Sequence, residues 1–555
     1  MRYLSLLSLL FLVLLLSLAQ SVSAQRLIRR SSRHYVEAQT LPERVEPMLH
    51  DDWYQDAPNN NMCPLDRNGD RSLVGCVATA MTEVMYYWKW PVQGEGSYTY
   101  NDSTGCGQVL SADFSSHTYD WDNVLNHYEE GQYTQQQADA IALPSLDCGI
   151  AVNMRYGAGS SAARSIRQPM ALVNYFGYDC GLQMHFRDFY SLAEITLMLK
   201  KELAAGRPVL ISGTNPNSSH AFVIDGYDEQ DRFHTHFGNH DNYGDGWTYL
   251  PHMLPDMPLW YEKDTHENGY NILQMFTTGV MPAHHPEATG IERHSFAFQY
   301  VAAVTDSLHP EPLYSRHQVP VTVHDLSNVG WNLHRDSVVL MLRQGDELVC
   351  PLHVYQRDFL LEEIDDTTYT DTLLLKMPSD LADGAYTIMP MYRDNALEGG
   401  KEWREAMTCA GTPNYLIADV QGETVTLSSD TASTAFLTLE DSSIPDMIVN
   451  GTPPNLSLTF RCHNAEMAGR FYLLMENLAG GPSFYLQRQG LTLTKDEVSQ
   501  RIFRKGNIYA PSLGQYRLHV LYEANLFADE LIELPLPEEK IITILSAGSI
   551  QLAEQ

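Results

Sequence analysis

The feature that most constrains this chain is a change of texture near residue 283. Between about Val45 and Pro282, helical apolar spacing recurs at Gly75–Trp88, Thr134–Cys148, Ala162–Phe176 and Leu192–Ala205. Short apolar runs then follow at Pro208–Gly213, Ala221–Tyr227, Arg232–Phe237 and Tyr270–Thr277. Helices first and strands later predict an α+β domain rather than an alternating parallel sheet. Beyond that point, runs such as Ser337–Leu342, Thr372–Lys376 and Thr387–Tyr392 alternate with turn residues, the pattern of antiparallel sandwiches. A repeat runs through this part. Gln356-Arg357, Gly384-Ala385-Tyr386 and Tyr392 return in the same order as Gln487-Arg488, Gly514-Gln515-Tyr516 and Tyr522, about 130 residues later. Two related all-β, immunoglobulin-like sandwich modules are therefore expected after the α+β domain.

Length and charge narrow the function. A chain of 555 residues holds several domains of roughly 100–200 residues. Its formal net charge of −33 argues against nucleic acid or an anionic membrane as partner, since a phosphate surface needs a basic footprint. Arg2, the apolar stretch Leu4–Leu18 and Val22-Ser23-Ala24 have the layout of a secretory signal peptide. No later segment is apolar enough to span a membrane, so an exported protein, secreted, periplasmic or at the cell surface, is expected. The organisation read from the sequence is a signal peptide at 1–24 and a short propeptide or flexible segment at 25–44. An α+β domain at 45–285 and β-sandwich modules at 286–428 and 429–555 complete it.

The chemistry gathers at Gly75-Cys76-Val77-Ala78-Thr79-Ala80-Met81. Glycine permits a tight entry into a helix, and a thiol in the first helical turn meets free N–H groups and the positive end of the helix dipole. Both favour thiolate, the reactive form. A thiolate nucleophile also needs a proton carrier. His220, at the mouth of the apolar strand Ala221–Tyr227, follows about 140 residues later, the order and distance of papain-like Cys–His pairs.

With those residues in place, a resemblance becomes specific. Trp53-Tyr54-Gln55, Cys63-Pro64, the Cys76 segment, Tyr86-Tyr87-Trp88 through Pro91 and Tyr119-Asp120-Trp121 resemble the front of the streptopain family of bacterial cysteine peptidases. Asp147-Cys148-Gly149 through Tyr156-Gly157, and His220-Ala221-Phe222-Val223 with Asp225-Gly226, continue the likeness. The sandwich modules are similar to C-terminal extensions of some members from Bacteroidota. The resemblance implies a papain-like fold that cleaves peptide bonds in proteins through a thioester on Cys76. His220 would be general base and acid, and Gln55 would supply an oxyanion donor beside the Cys76 N–H. No cofactor or metal is implied, and the sandwiches would serve surface attachment.

One stretch departs from the family pattern. Phe233-His234-Thr235-His236-Phe237-Gly238-Asn239-His240 stands where the family reads close to Phe-His-Val-Asn-Trp-Gly-Trp-Gly. His236 takes the place of the Asn that orients the base, and Phe237 that of a shielding Trp. His236, or Asn239 after a small shift, is the expected replacement. The departure leaves two alternatives: an impaired homologue that works through its sandwiches, and a metal-binding protein using His234, His236, His240 and Asp241. Asp66-Arg67-Asn68-Gly69-Asp70 reads as a turn rather than a calcium loop. Among the eight cysteines, Cys63, Cys106, Cys148 and Cys180 are candidates for a bridge that spacing alone does not choose.

Overall fold

A computed structural model describes residues 41–215, 218–239, 245–251, 253, 269–305, 311–332, 337–356, 359, 369–393, 403–430, 436–503, 507–523 and 531–546. The expected signal peptide, most of the segment after it, and His240 and Asp241 lie outside the described residues.

Among the described residues, the first unit combines four α-helices with a six-stranded sheet. The helices are α1 (Cys76–Trp88), α2 (Gln135–Ala151), α3 (Arg167–Phe176) and α4 (Leu192–Ala204). In chain order the strands are β1 (Ser97–Asn101) and β2 (Val109–Asp113), a separate hairpin, then β3 (Gln183–Phe186), β4 (Val209–Thr214), β5 (Ser219–Tyr227), β6 (Arg232–His236), β7 (Gly246–Tyr249) and β8 (Ile272–Thr278). The sheet order is β3-β8-β4-β5-β6-β7, antiparallel throughout. This is the α+β domain that the sequence predicts.

Local chemistry sets the helix limits. Thr134 and Ser191 close reciprocal capping boxes with Gln137 and Glu194 at the starts of α2 and α4. The helix expected from Ala162 begins only at Arg167, because Arg155 and Ala162 exchange backbone hydrogen bonds of 2.9 and 3.1 Å that hold the chain extended. The apolar face of α1, with Val77, Ala78, Met81, Val84 and Met85, is fully buried. Strand β5 is covered on both faces. Ala221 and Val223 join the core built on α1, while Phe222 and Ile224 pack with Ile195, Leu199 and Leu203 of α4. That burial explains why β5 reads as a continuous apolar run.

After residue 295 every described element is a strand. One sandwich sets the sheet containing Tyr300–Ala303, Val319–Asn328 and Tyr369–Leu375 against one containing Val338–Gln344, Glu347–Val354 and Gly384–Arg393. The next repeats the arrangement, with Phe436–Ser443, Leu456–His463 and Val498–Phe503 facing Met467–Asn477, Phe484–Leu493 and Gly514–Glu523. The Gly-x-Tyr part of the sequence repeat falls on equivalent strands, Gly384–Arg393 and Gly514–Glu523, whereas Gln487-Arg488 lie inside the strand Phe484–Leu493 and Gln356 lies beyond the end of Glu347–Val354, with Arg357 outside the described residues. In each, a buried Tyr hydroxyl donates to the carbonyl four residues earlier: Tyr386 to Ala382 at 2.9 Å and Tyr516 to Ser512 at 2.8 Å. Such a contact pins the start of a central strand to the preceding turn, which accounts for the shared Gly-x-Tyr.

The modules are docked on the first unit. Trp331 Nε1 donates to Leu182 O at 3.0 Å, and Ala410 N donates to Asp188 O at 2.7 Å. Arg187, 4 % exposed, lies 3.6 Å from Glu466 of the last module, whose carboxylate also accepts the Leu192 N–H at the first turn of α4. All eight cysteines are free thiols, so the bridge considered among Cys63, Cys106, Cys148 and Cys180 does not form.

Candidate active site

Gly75 enters α1 with φ +89°, a conformation that side chains disfavour, and the turn delivers Cys76 to the first helical position. Cys76 and His220 line one cleft of about 510 Å³, together with Ser160–Ile166, Ser212–Thr214, Leu273 and Met275. The extended stretch before α3 thus forms one wall and the β4, β5 and β8 strands the other. Gln168 of α3 donates to the Val77 carbonyl at 3.1 Å, fixing the backbone beside the nucleophile.

Burial alone would raise the Cys76 thiol. The hydrogen bond and positive charge of His220 outweigh it, helped by the Ala221 and Val77 N–H groups, and the pKa falls below its ordinary value. Burial likewise works against the His220 cation, but bonding to Cys76 and to the Phe237 carbonyl raises its pKa. The pair is thereby biased toward thiolate and imidazolium. Cys63, Cys106, Cys148, Cys180, Cys350 and Cys462 go the opposite way: burial raises each of them, Cys63 to about 12 and Cys462 to about 11.

His220 Nε2 lies 2.8 Å from the Phe237 carbonyl oxygen. A carbonyl only accepts, so Nε2 carries hydrogen and Nδ1 is left for the thiol. The orienting partner is therefore main chain. His236, the expected replacement, points elsewhere: its Nε2 bonds the Asp51 carbonyl at 2.6 Å, and its Nδ1 lies 3.3 Å from Glu83 Oε1. Asn239 is half-buried and makes no hydrogen bond to His220. Both expectations are corrected by one fact: the strand end presents Phe237 O, not a side chain, to the ring. The Phe237 ring covers the base, with centroids 5.1 Å apart and planes 26° from parallel, and Phe222 and Tyr270 complete the apolar collar.

The Gln55 carbonyl accepts the Val74 N–H at 3.0 Å, which ties its segment to the chain two residues before Cys76, and Gln55 is not among the residues that line the cleft. His234 pairs with Asp225 at 2.7 Å and His236 with a different group of residues, so the metal set imagined around His234 is not assembled among the described residues. Asp66 Oδ1 accepts the Asn68 and Asp70 N–H groups, the turn expected there.

A second constellation lies behind the base. Asp51, Glu83 and His236 are buried together, with Asp51 on the segment before Gln55 and Glu83 two turns along α1 from Cys76. Burial pushes Glu83 up to about 8 against the pull of His236; His236 is itself raised well above its ordinary value because the two carboxylates outweigh its burial. Glu83 interrupts an apolar helical run, a signal the sequence offered and side-chain periodicity alone passed over.

Comparison with known proteins bears on the family of the first unit. Residues 53–247 match the Peptidase C10 family. The chain is 27 % identical over 462 residues to the thiol protease/hemagglutinin PrtT of Porphyromonas gingivalis, covering 79 % of this chain and 50 % of that protein. It is 32 % identical to streptopain of Streptococcus pyogenes over 219 residues, 39 % of this chain and 54 % of streptopain. The chain thus spans about half the length of these curated relatives. Among solved structures, active interpain A, a cysteine protease of Prevotella intermedia, is 32 % identical, with 43 % of this chain and 96 % of that one covered and a TM-score of 0.39. Over residues 53–247 the chain belongs to the Peptidase C10 family.

Proposed function

We propose that the chain is an exported cysteine endopeptidase. The observation that carries this reading is the Cys76–His220 pair in an open cleft, with Nε2 committed to Phe237 O and Nδ1 left to the sulfur. The Cys76 thiolate attacks a peptide carbonyl, and negative charge develops on the carbonyl oxygen. The Cys76 N–H, which has no acceptor within its own helix, and the Gln55 amide are the donors for that charge. His220 gives its Nδ1 proton to the departing amine, leaving a thioester. It then takes a proton from water, whose oxygen attacks and cleaves the thioester, releasing the acid and restoring the thiolate–imidazolium pair.

Val77, Ala162, Ala163, Ile166, Leu273 and Met275 make the cleft walls largely apolar, which favours an apolar substrate side chain next to the scissile bond. The sandwich modules serve attachment to a surface or to large substrates. Export rests on the N-terminal signal pattern; among the described residues no helix is long and apolar enough to cross a membrane.

The test expresses the chain from Gln25 onward, wild type against Cys76→Ala. Casein cleavage and iodoacetamide labelling concentrated on Cys76 support the reading. Equal cleavage by both proteins, or Cys76 reacting no faster than the buried thiols, refutes it.

A further inference from the structure

The buried trio behind the base is chemically incomplete. Asp51 is 6 % exposed, Glu83 0 % and His236 3 %. Asp51 Oδ1, both Glu83 carboxylate oxygens and His236 Nδ1 have no hydrogen-bond partner. The 3.3 Å approach of His236 Nδ1 to Glu83 Oε1 is an ion-pair contact without hydrogen-bond geometry. Two carboxylates and an imidazole with four unsatisfied atoms, sealed from water, are costly unless something satisfies them.

We infer that Asp51, Glu83 and His236 form a structural site for a divalent transition-metal ion of the zinc class. The candidate ligand atoms lie within 4.8 Å of one another, close enough for one ion with bonds of about 2.0–2.2 Å to draw them in. His236 Nε2–H donates to the Asp51 carbonyl at 2.6 Å, so Nδ1 is the ring atom that faces the carboxylates, and an ion bound there takes the place of its proton. A ligating histidine that donates its other N–H to a carbonyl is the usual outer-shell arrangement. Two carboxylates balance a dication, and the imidazole nitrogen favours zinc-like ions over calcium or magnesium. The neighbouring Asp245 is engaged differently, accepting the Phe237 N–H at 2.7 Å.

The location gives such an ion a task. Asp51 precedes the Gln55 segment, Glu83 shares α1 with Cys76, and His236 is joined to Phe237, whose carbonyl holds His220. One ion would tie together the three chain segments that carry the oxyanion donor, the nucleophile and the base's partner. Gly238 follows with φ +61°, and a Cβ there would lie 2.9 Å from Glu83 Oε1, so the turn leaves the site its room.

The test measures metal directly and does not depend on peptidase activity. The chain from Gln25 onward, as Cys76→Ala to remove the reactive thiol as a rival ligand, is dialysed against buffered zinc and its content read by mass spectrometry. About one zinc per chain is expected. Glu83→Gln and His236→Asn should each weaken binding at least about 100-fold, more than loss of an outer-shell contact. Zinc should also raise the melting temperature of Cys76→Ala, and a chelator should reverse the rise; this readout stands even if a ligand variant fails to fold. No stoichiometric zinc and no thermal shift in Cys76→Ala, or zinc undiminished in both ligand variants, overturns the site.

Discussion

The Nε2 atom of His220 donates to the main-chain carbonyl of Phe237 at 2.8 Å, so the base of this site is oriented by backbone. Side-chain identity at 236 and 239 is therefore not what fixes the imidazole, and the departure from the family pattern there is compatible with an intact pair.

Asn239 and Gly238 should consequently behave in opposite ways. Asn239→Ala is expected to keep kcat within about two-fold, since no bond to His220 is removed. Gly238→Ala places a Cβ 2.8 Å from Thr79 Cγ2 and 2.9 Å from Glu83 Oε1 at φ +61°. A cost of about 1–3 kcal/mol in stability and a loss of kcat follow from the forced φ and the displaced turn. Chemical denaturation and steady-state kinetics on both variants check this; a disabled Asn239→Ala with a healthy Gly238→Ala would reverse the assignment.

The pH dependence follows from the two shifts. Cys76 lies below its ordinary 9.0 and His220 above its ordinary 6.5. The reactive pair forms as pH rises through the lowered thiol value and is lost as pH rises through the raised imidazole value. A bell-shaped kcat/KM is expected, its acid limb below 9.0 and its alkaline limb above 6.5. The same shifts set stability. The His220 contribution is full below 6.5 and lost as pH rises through its folded value; that of Cys76 is full above 9.0 and lost as pH falls through its own. Iodoacetamide labelling rates against pH should show the acid limb without any substrate.

Leu273 is 41 % exposed in the cleft wall and held at φ +51°, an uncommon place for a bulky residue. Its position suits contact with substrate rather than the core. Leu273→Gly should raise KM for substrates with apolar side chains several-fold while the melting temperature holds or rises, because glycine relieves the backbone cost. A fall in stability with KM unchanged would assign Leu273 to packing.

Glu466→Ala removes the carboxylate beside the buried Arg187, a contact that joins the last module to the first unit. Breaking a fully buried pair costs about 3–5 kcal/mol. Glu466 keeps 18 % exposure, so a smaller loss is expected, read as an earlier denaturant midpoint. Arg187→Met together with Glu466→Ala should recover part of it, since the stranded charge is then absent.

Self-processing, if it trims the N-terminus, should stop upstream of Pro42. The Pro42 carbonyl accepts the Tyr227 hydroxyl at 2.6 Å, and Val45 and Tyr227 exchange backbone bonds of 2.8 and 3.0 Å. A chain so anchored cannot enter its own cleft. Mass spectrometry of the matured chain locates the cut, and a new N-terminus beyond Val45 would contradict the anchoring.

Much of this was legible because the decisive signals were local. The apolar set of α1, the glycine before Cys76 and the apolar spacing of α4 each act within a few positions, and the repeated Gly-x-Tyr marks equivalent strands because one hydroxyl reaches back four residues. The start of α3 was misjudged because the Arg155–Ala162 bridge, a tertiary contact, overrides helical spacing. The orienting partner of His220 was beyond reach for another reason: a carbonyl is common to every residue, so position 237 carries no sign of it. The Asp51–Glu83–His236 group needed the fold to bring three distant segments together.

The Arg187–Glu466 contact also bears on synthesis. Domains fold in order as a chain emerges from the ribosome, N-terminal first. The first unit would be complete in sequence while its buried guanidinium still awaited a carboxylate made only near the end of translation. Until then the start of α4, which packs against the strand of the base, also lacks the Glu466 acceptor of its Leu192 N–H. The sandwiches are thus built into the timetable by which the catalytic half becomes fully stable.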